Sequence, residues 1–344
     1  MRFDQTALPG TEASSAAPTF AEALDPLLPV FLLIDPVVGD PLAGSVDAQT
    51  LSDLSSQREQ VWQRPVRCVA LDPRVPLRPD QYPYVVALQG PNDPLYEMSF
   101  ELALSERDTA LSDGLDGSGR ASYKIGGWLQ TNAGIADLCS ALQLLMTVNT
   151  EALTKARYLR LADRRVFALL RYVVGDVRLS GQLGGVKRWI YLNHYGACEA
   201  IHAIDHTGQP LRLTADEWHR MELGERLHRT IAMWLGELAG RGMHAPTTPS
   251  HSLFESTLEA LQAALSSAQR WPHRFIENDD VLVWAALGLC DSRLGDGSVV
   301  RALLDPEGSQ HAPVDPIRNM HRAISDLLAQ SNATSQGPRL RVAS

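Results

Sequence analysis

The chain changes character once. Up to about residue 208, short apolar runs bounded by proline, glycine or acid alternate with helical stripes, and beyond it only helical stripes remain. A run of four to eight apolar residues closed by turn formers reads as a buried strand. Pro29–Asp35, closed by Pro36, fits that pattern, as do Val66–Leu71, Tyr84–Leu88, Ile125–Gln130, Arg157–Leu161, Arg188–Leu192 and Ala197–Ile204. Among them lie helical spacings over Gln49–Gln63, Asp93–Leu111 and Val166–Val173, with Asp163 as cap, and the stripe Ile135, Leu138, Cys139, Leu142, Leu145, Met146 after a Thr131-Asn132 cap. Beyond the break, Thr214 with Glu217 and Ser252 with Glu255 make capping boxes, Glu277–Asp280 opens the helix Val281–Cys290, and Asp315-Pro316 opens a final one. The expected fold is a mixed α/β (α+β) lobe over 26–208 followed by an all-α lobe over 209–330, with a cleft between them. Flexible segments are expected over 1–25 and 331–344.

Charge and cysteine usage narrow the class. Of the net charge of −9, the first 60 residues hold nine acids against Arg2 and Arg58, so the rest is almost balanced and offers no basic face for nucleic acid. Cys68, Cys139, Cys198 and Cys290 are too few and too scattered for a disulfide framework or a zinc site, and read as reduced small hydrophobes. The start MRFDQTALPG lacks the apolar core of a secretory leader, and the apolar runs fall short of the ~20 residues a spanning helix needs. The expectation is a cytoplasmic protein without membrane insertion, monomeric when free.

No residue pattern carries a reaction. All ten histidines lie at or after His194; His219 and His228 share one expected helix on opposite faces, and His202 and His206 lie about 13 Å apart along an expected strand. No HExxH, paired CxxC or Gly-x-Ser-x-Gly motif occurs, and the adjacent Asp279 and Asp280 read as helix-start charge. The loops GLDGSG (Gly114, Gly117, Gly119) and GQLGG (Gly181, Gly184, Gly185) match no phosphate-binding loop and read as turns. No catalytic residue, cofactor or metal is expected. Three sets stand out nonetheless: Trp128 in its strand, the crowd Arg160, Asp163, Arg164 and Arg165 at a strand-to-helix junction, and Trp189 with Tyr191 on a later strand. The tryptophans fit either core filling or a partner contact; the charged crowd fits either a capping and ion-pair network or a contact surface.

The order of these segments resembles a known family. GWLQTN (127–132), the helix IADLCSALQLLM (135–146), the junction RLADRRV (160–166) and the strand RWIYLNHYG (188–196) follow one another as in the type VI secretion effector-adaptor, or effector-chaperone, family. That family's forms are close to RWLLS, RFYDPRV and RWWY. Trp128, Leu129, Arg160, Asp163, Arg165, Val166 and Trp189 match, whereas Gly127 stands in place of a common basic residue, Ala162 of an aromatic and Arg164 of a proline. The resemblance is centred on 120–200. It implies a non-catalytic adaptor that binds a cognate secreted effector in the bacterial cytoplasm and helps load it onto the VgrG spike protein, with Trp128, Arg160, Asp163, Arg165, Trp189 and Tyr191 as candidate partner-binding residues. The competing readings are a cryptic enzyme or nucleotide-binding protein, and a structural subunit of a larger assembly.

Overall fold

The computed structural model describes residues 20–42, 50–90, 92–150, 157–204, 211–244, 249–295, 297–304 and 315–335. Most of the two end segments expected to be flexible, 1–19 and 336–344, lies outside these residues.

Strands run in chain order β1 (Val30–Ile34), β2 (Val66–Cys68), β3 (Tyr84–Ala87), β4 (Ile125–Gln130), β5 (Thr147–Thr150), β6 (Arg157–Tyr158), β7 (Arg188–Leu192), β8 (Cys198–His202) and β9 (Arg212–Leu213). Six of them form one antiparallel sheet in the order β2-β3-β1-β4-β7-β8. A smaller group places β5 between β6 and β9. Helices in the first part are α1 (Phe20–Ala23), α2 (Leu51–Trp62), α3 (Leu95–Leu111), α4 (Ile135–Leu145), α5 (Arg164–Val174) and α6 (Asp176–Ser180). The second part holds α7 (Ala215–Glu222), α8 (Gly224–Gly240), α9 (Ser250–Arg270), α10 (Asn278–Cys290), α11 (Gly297–Leu304) and α12 (Ile317–Ser335). The architecture is α+β, with the strands mainly in the first part and helices alone from α7 onward; β9 lies just inside the stretch expected to be all helical, where it pairs with β5.

Both faces of the sheet are covered, which is why its central strands read as unbroken apolar runs. Leu32 and Ile34 of β1 pack with Ala103 of α3 and Leu54 and Trp62 of α2. Phe31 and Leu33, pointing the other way, pack with Leu138 and Leu142 of α4 and Phe167 of α5. The strand β4 carries one extra residue: Leu33 faces Gly127, yet the next residue, Ile34, faces Ile125, so Gly126 is a bulge. A side chain at Gly126 would meet the backbone of Ala162. One at Gly127, whose φ is +138°, would meet the Ile190 carbonyl and stand 3.0 Å from Trp189 Nε1. The position where the resembling family carries a basic residue therefore admits only glycine here.

The core does not stop at the end of the strands. One connected buried cluster runs from Phe31 through α5 to Ile231 of α8, Phe254 of α9 and Ile324 of α12. At its far end α10 is buried without a break from Asp280 to Leu287, as a helix surrounded by α8, α9 and α12 must be. Asp280 accepts from Ile276 N (2.9 Å), Glu277 N (2.8 Å) and Arg318 N (3.0 Å), so one buried carboxylate closes the start of α10 and ties it to the start of α12.

Several local expectations differ from what forms. Thr131 does not cap α4; Gly134 precedes that helix, and Thr131 instead donates to the Gly185 carbonyl and accepts from Ala133 N (3.0 Å). The Ser252–Glu255 box is absent because α9 already begins at Ser250, with Pro249 in the capping position and its fixed φ serving as the helix entry. The boxes Thr214/Glu217 and Glu277/Asp280 do form. Among the described residues no helix is long and apolar enough to cross a membrane.

Candidate functional site

The charged junction of the resemblance is built around Asp163. This residue is 2% exposed and caps α5, its Oδ1 accepting from Arg165 N (3.0 Å). The Arg165 guanidinium folds back onto the same carboxylate, Nε to Oδ1 at 3.0 Å and Nη2 to Oδ2 at 2.7 Å. Burial pushes the Asp163 carboxyl up, but Arg165 and Arg160 outweigh it and hold the group below the ordinary range. Arg164 leaves in the opposite direction. Its Nη1 bonds Glu106 Oε2 (2.6 Å) and the Ile125 carbonyl (2.9 Å), and its Nη2 bonds the Ala103 carbonyl (2.6 Å), pinning α5 to α3 and β4. Neighbouring arginines thus divide the work, one inside the fold and one at its surface.

Arg160 reaches across to the end of β1, where its Nε donates to Asp35 Oδ2 at 2.5 Å. Asp35 is 1% exposed, and burial pushes its carboxyl up to about 6 despite the pull of Arg160. The Arg160 Nη2 atom is itself buried with no hydrogen-bond partner, as is the nearby Tyr158 hydroxyl.

Arg160, Asp163 and Arg165 wall a pocket of about 510 Å³ where the strand-bearing part meets α8. Its cations are Arg120, Arg160, Arg165 and Arg229, its acids Asp163 and Glu225, and its apolar lining Val38, Val166, Leu169 and Met221. Arg229 is held by the Ser118 carbonyl (Nε, 2.6 Å) and by Asp279 (Nη2, 2.7 Å), so the acid pair expected only as helix-start charge also contributes an ion pair. The GLDGSG loop closes this side. Gly119, with φ +60°, lies so near α8 that a Cβ would stand 2.5 Å from the Arg229 carbonyl oxygen. Of the glycines read as turns, Gly114 and Gly119 also permit contact with the backbone of α8.

Beneath the pocket lies a feature the sequence did not announce. His194, in the turn after β7, and His228, on α8, share a hydrogen bond of 2.9 Å between Nε2 and Nδ1, their rings nearly parallel at 16°. Burial drives both basicities down, His194 to about 4 and His228 well below its ordinary value, so the pair is neutral and one ring donates to the other. Sequence reasoning set His228 against His219 on one continuous helix. The chain instead turns at Leu223 between α7 and α8. The available signal was that His228 lies one residue after Leu227 and three before Ile231, on a helix buried over most of its length.

Of the candidate residues, Arg160, Asp163 and Arg165 come together at the pocket, and the aromatic three do not join them. Trp128 has no exposed surface; its Nε1 donates to Ser99 Oγ (3.0 Å), and the Phe20 ring packs on it at 4.4 Å. Trp189, also without exposed surface, stacks on Phe167 at 4.0 Å. The Tyr191 hydroxyl donates to Glu199 Oε2 (2.8 Å) and accepts from Arg171 Nη1 (3.0 Å), while Asn193 and Ser250 donate to the other Glu199 oxygen. That network anchors the start of α9 to the sheet. Among the described residues no three His, Cys, Asp or Glu side chains group so as to hold a metal ion. Comparison of the chain with protein-family models, with curated proteins and with solved structures finds no match.

Proposed function

We propose that the chain is a non-catalytic adaptor that holds another polypeptide, of the kind implied by its resemblance to the type VI secretion effector adaptors: it binds a secreted effector in the cytoplasm and presents it to the VgrG spike. One observation carries the reading. The junction of the resembling motif, with the charged Arg160, Asp163 and Arg165 and the apolar Val166, lines the pocket at the meeting of the two parts of the chain, together with Leu169 and Met221. Apolar lining with a rim of arginines suits reversible capture of a protein segment better than permanent assembly.

The test is co-expression with an effector and a spike protein, sought, as the resemblance implies, among the products of the neighbouring genes. The expected result is a complex that survives size exclusion, with the effector more soluble than when made alone. Failure of the purified chain to bind either protein removes the adaptor reading.

A further inference from the structure

The pocket carries donors that the fold does not use. Of its two acids, Asp163 takes three bonds from Arg165 and Glu225 stands exposed at the mouth beside Arg120, while Asp35 behind the wall takes Arg160 Nε and Val37 N. Arg160 spends only its Nε on Asp35, and its buried Nη2 has no partner. A guanidinium offers five donors in a planar fork shaped for a carboxylate. Arg120 stands at the mouth, its side chain 68% exposed and 3.9 Å from Glu225.

The other half of the lining is apolar. Val166, Leu169 and Met221 face the same space, and Val38 at the rim is 44% exposed. A strongly hydrated anion such as phosphate gains nothing from such a wall, whereas a carboxylate attached to an apolar side chain satisfies both halves. About 510 Å³ holds the end of a segment, not a helix roughly 10–12 Å across.

We infer that this pocket seats a carboxylate borne by an apolar residue of the bound polypeptide, with the Arg160 guanidinium receiving the carboxylate and Val166, Leu169 and Met221 receiving the side chain. The inference rests on the adaptor reading for its occupant, but its chemistry is tested without the effector. The probes are N-acetyl-leucine, its uncharged analogue N-acetyl-leucinamide, and inorganic phosphate, each titrated into the full chain and followed by ligand-detected NMR.

N-acetyl-leucine is expected to bind about tenfold or more tightly than the amide, as the loss of a charge-assisted bond requires. Arg160→Gln removes most of that preference and Arg120→Gln part of it, while Arg74→Gln, at an arginine paired on the surface with Asp72, changes nothing. Equal affinity for acid and amide overturns the proposal, as does phosphate binding as tightly as N-acetyl-leucine, or unaltered binding in both pocket variants. Should Arg160→Gln not fold, the acid-to-amide ratio and Arg120→Gln decide. A chain that binds N-acetyl-leucine but captures no effector keeps the carboxylate seat and loses the adaptor role. Effector capture undiminished by either pocket substitution does the reverse.

Discussion

The strand parts of the family-like motif and its junction part differ in what they touch. Trp128 and Trp189 have no exposed surface, and the residues around them are fixed by backbone: Gly126 by Ala162, Gly127 by Ile190. At the junction Asp163 is buried as well, yet Arg160, held by Asp35, and Arg165, held by Asp163, remain 27% and 20% exposed on a pocket wall. A single motif therefore contains a frame and a surface.

The largest expected effect breaks the frame. Gly127→Arg, which restores the basic residue common in the resembling family, sets a side chain against the Ile190 carbonyl at φ +138°. It should cost about 5 kcal/mol or more, measured by urea denaturation. A variant of unchanged stability would mean that β4 and β7 are not so closely paired.

Asp163→Ala tests the hinge between frame and surface. It removes the cap of α5 and strands Arg165 beside Tyr123, whose ring lies 4.2 Å from that guanidinium, with an expected loss of about 3 kcal/mol. Asp163→Asn keeps the cap oxygen and should recover about 1 kcal/mol of this. Equal losses in both variants would make the charge, not the cap, the whole contribution.

The smallest effect is read as pH dependence. Asp35 has a folded-state pKa of about 6, above its ordinary 3.8, so the folded chain binds that proton more tightly than the unfolded one. Its contribution to stability is present at low pH and is lost as pH rises from about 4 to about 6. His194, lowered from 6.5 to about 4, acts with the opposite sign: its contribution is present above about 6.5 and is lost as pH falls towards 4. Asp35→Asn removes the first term only. Across pH 4 to 6 its stability relative to the unsubstituted chain should therefore rise by roughly 2 kcal/mol, followed by thermal melts at half-unit steps. A gap that stays constant with pH would show that Arg160 keeps Asp35 ionised throughout.

Much of this frame was legible. β1, β3, β4, β7 and β8 were visible because apolar runs closed by prolines, glycines or polar turn residues have few other uses. α3, α8 and α10 were visible through helical spacing; of the two expected capping boxes Thr214/Glu217 formed and Ser252/Glu255 did not, while the residues read only as helix-start charge, Glu277 and Asp280, make a box of their own. β6 lies within the expected strand Arg157–Leu161, whereas β5 and the two-residue β9, too short to show a period, were not read. The turn at Leu223 was hidden because the helical stripe continues through it. Arg58 was legible in hindsight: with Leu54 and Trp62 it repeats at every fourth residue on the buried face of α2, where it donates to Cys68 Sγ at 3.2 Å and lies over the Tyr84 ring. The site was half legible. Local order gave Arg160, Asp163 and Arg165, because a cap and its neighbours are adjacent in sequence. Arg120, Met221, His228 and Arg229 arrive from distant segments, and no spacing rule joins them to the junction.

The inserted residue in β4 also sets the parity of the strand. Ile125 and Trp128 are three positions apart and still face the same layer, beside α3, while Leu129 turns towards α5 with Trp189. Chain length at this point is thus part of the instruction: shortened by one glycine, the strand would swing Trp128 into the layer that Trp189 and Phe167 already fill, and leave Phe20, Phe100 and Ser99 facing a gap.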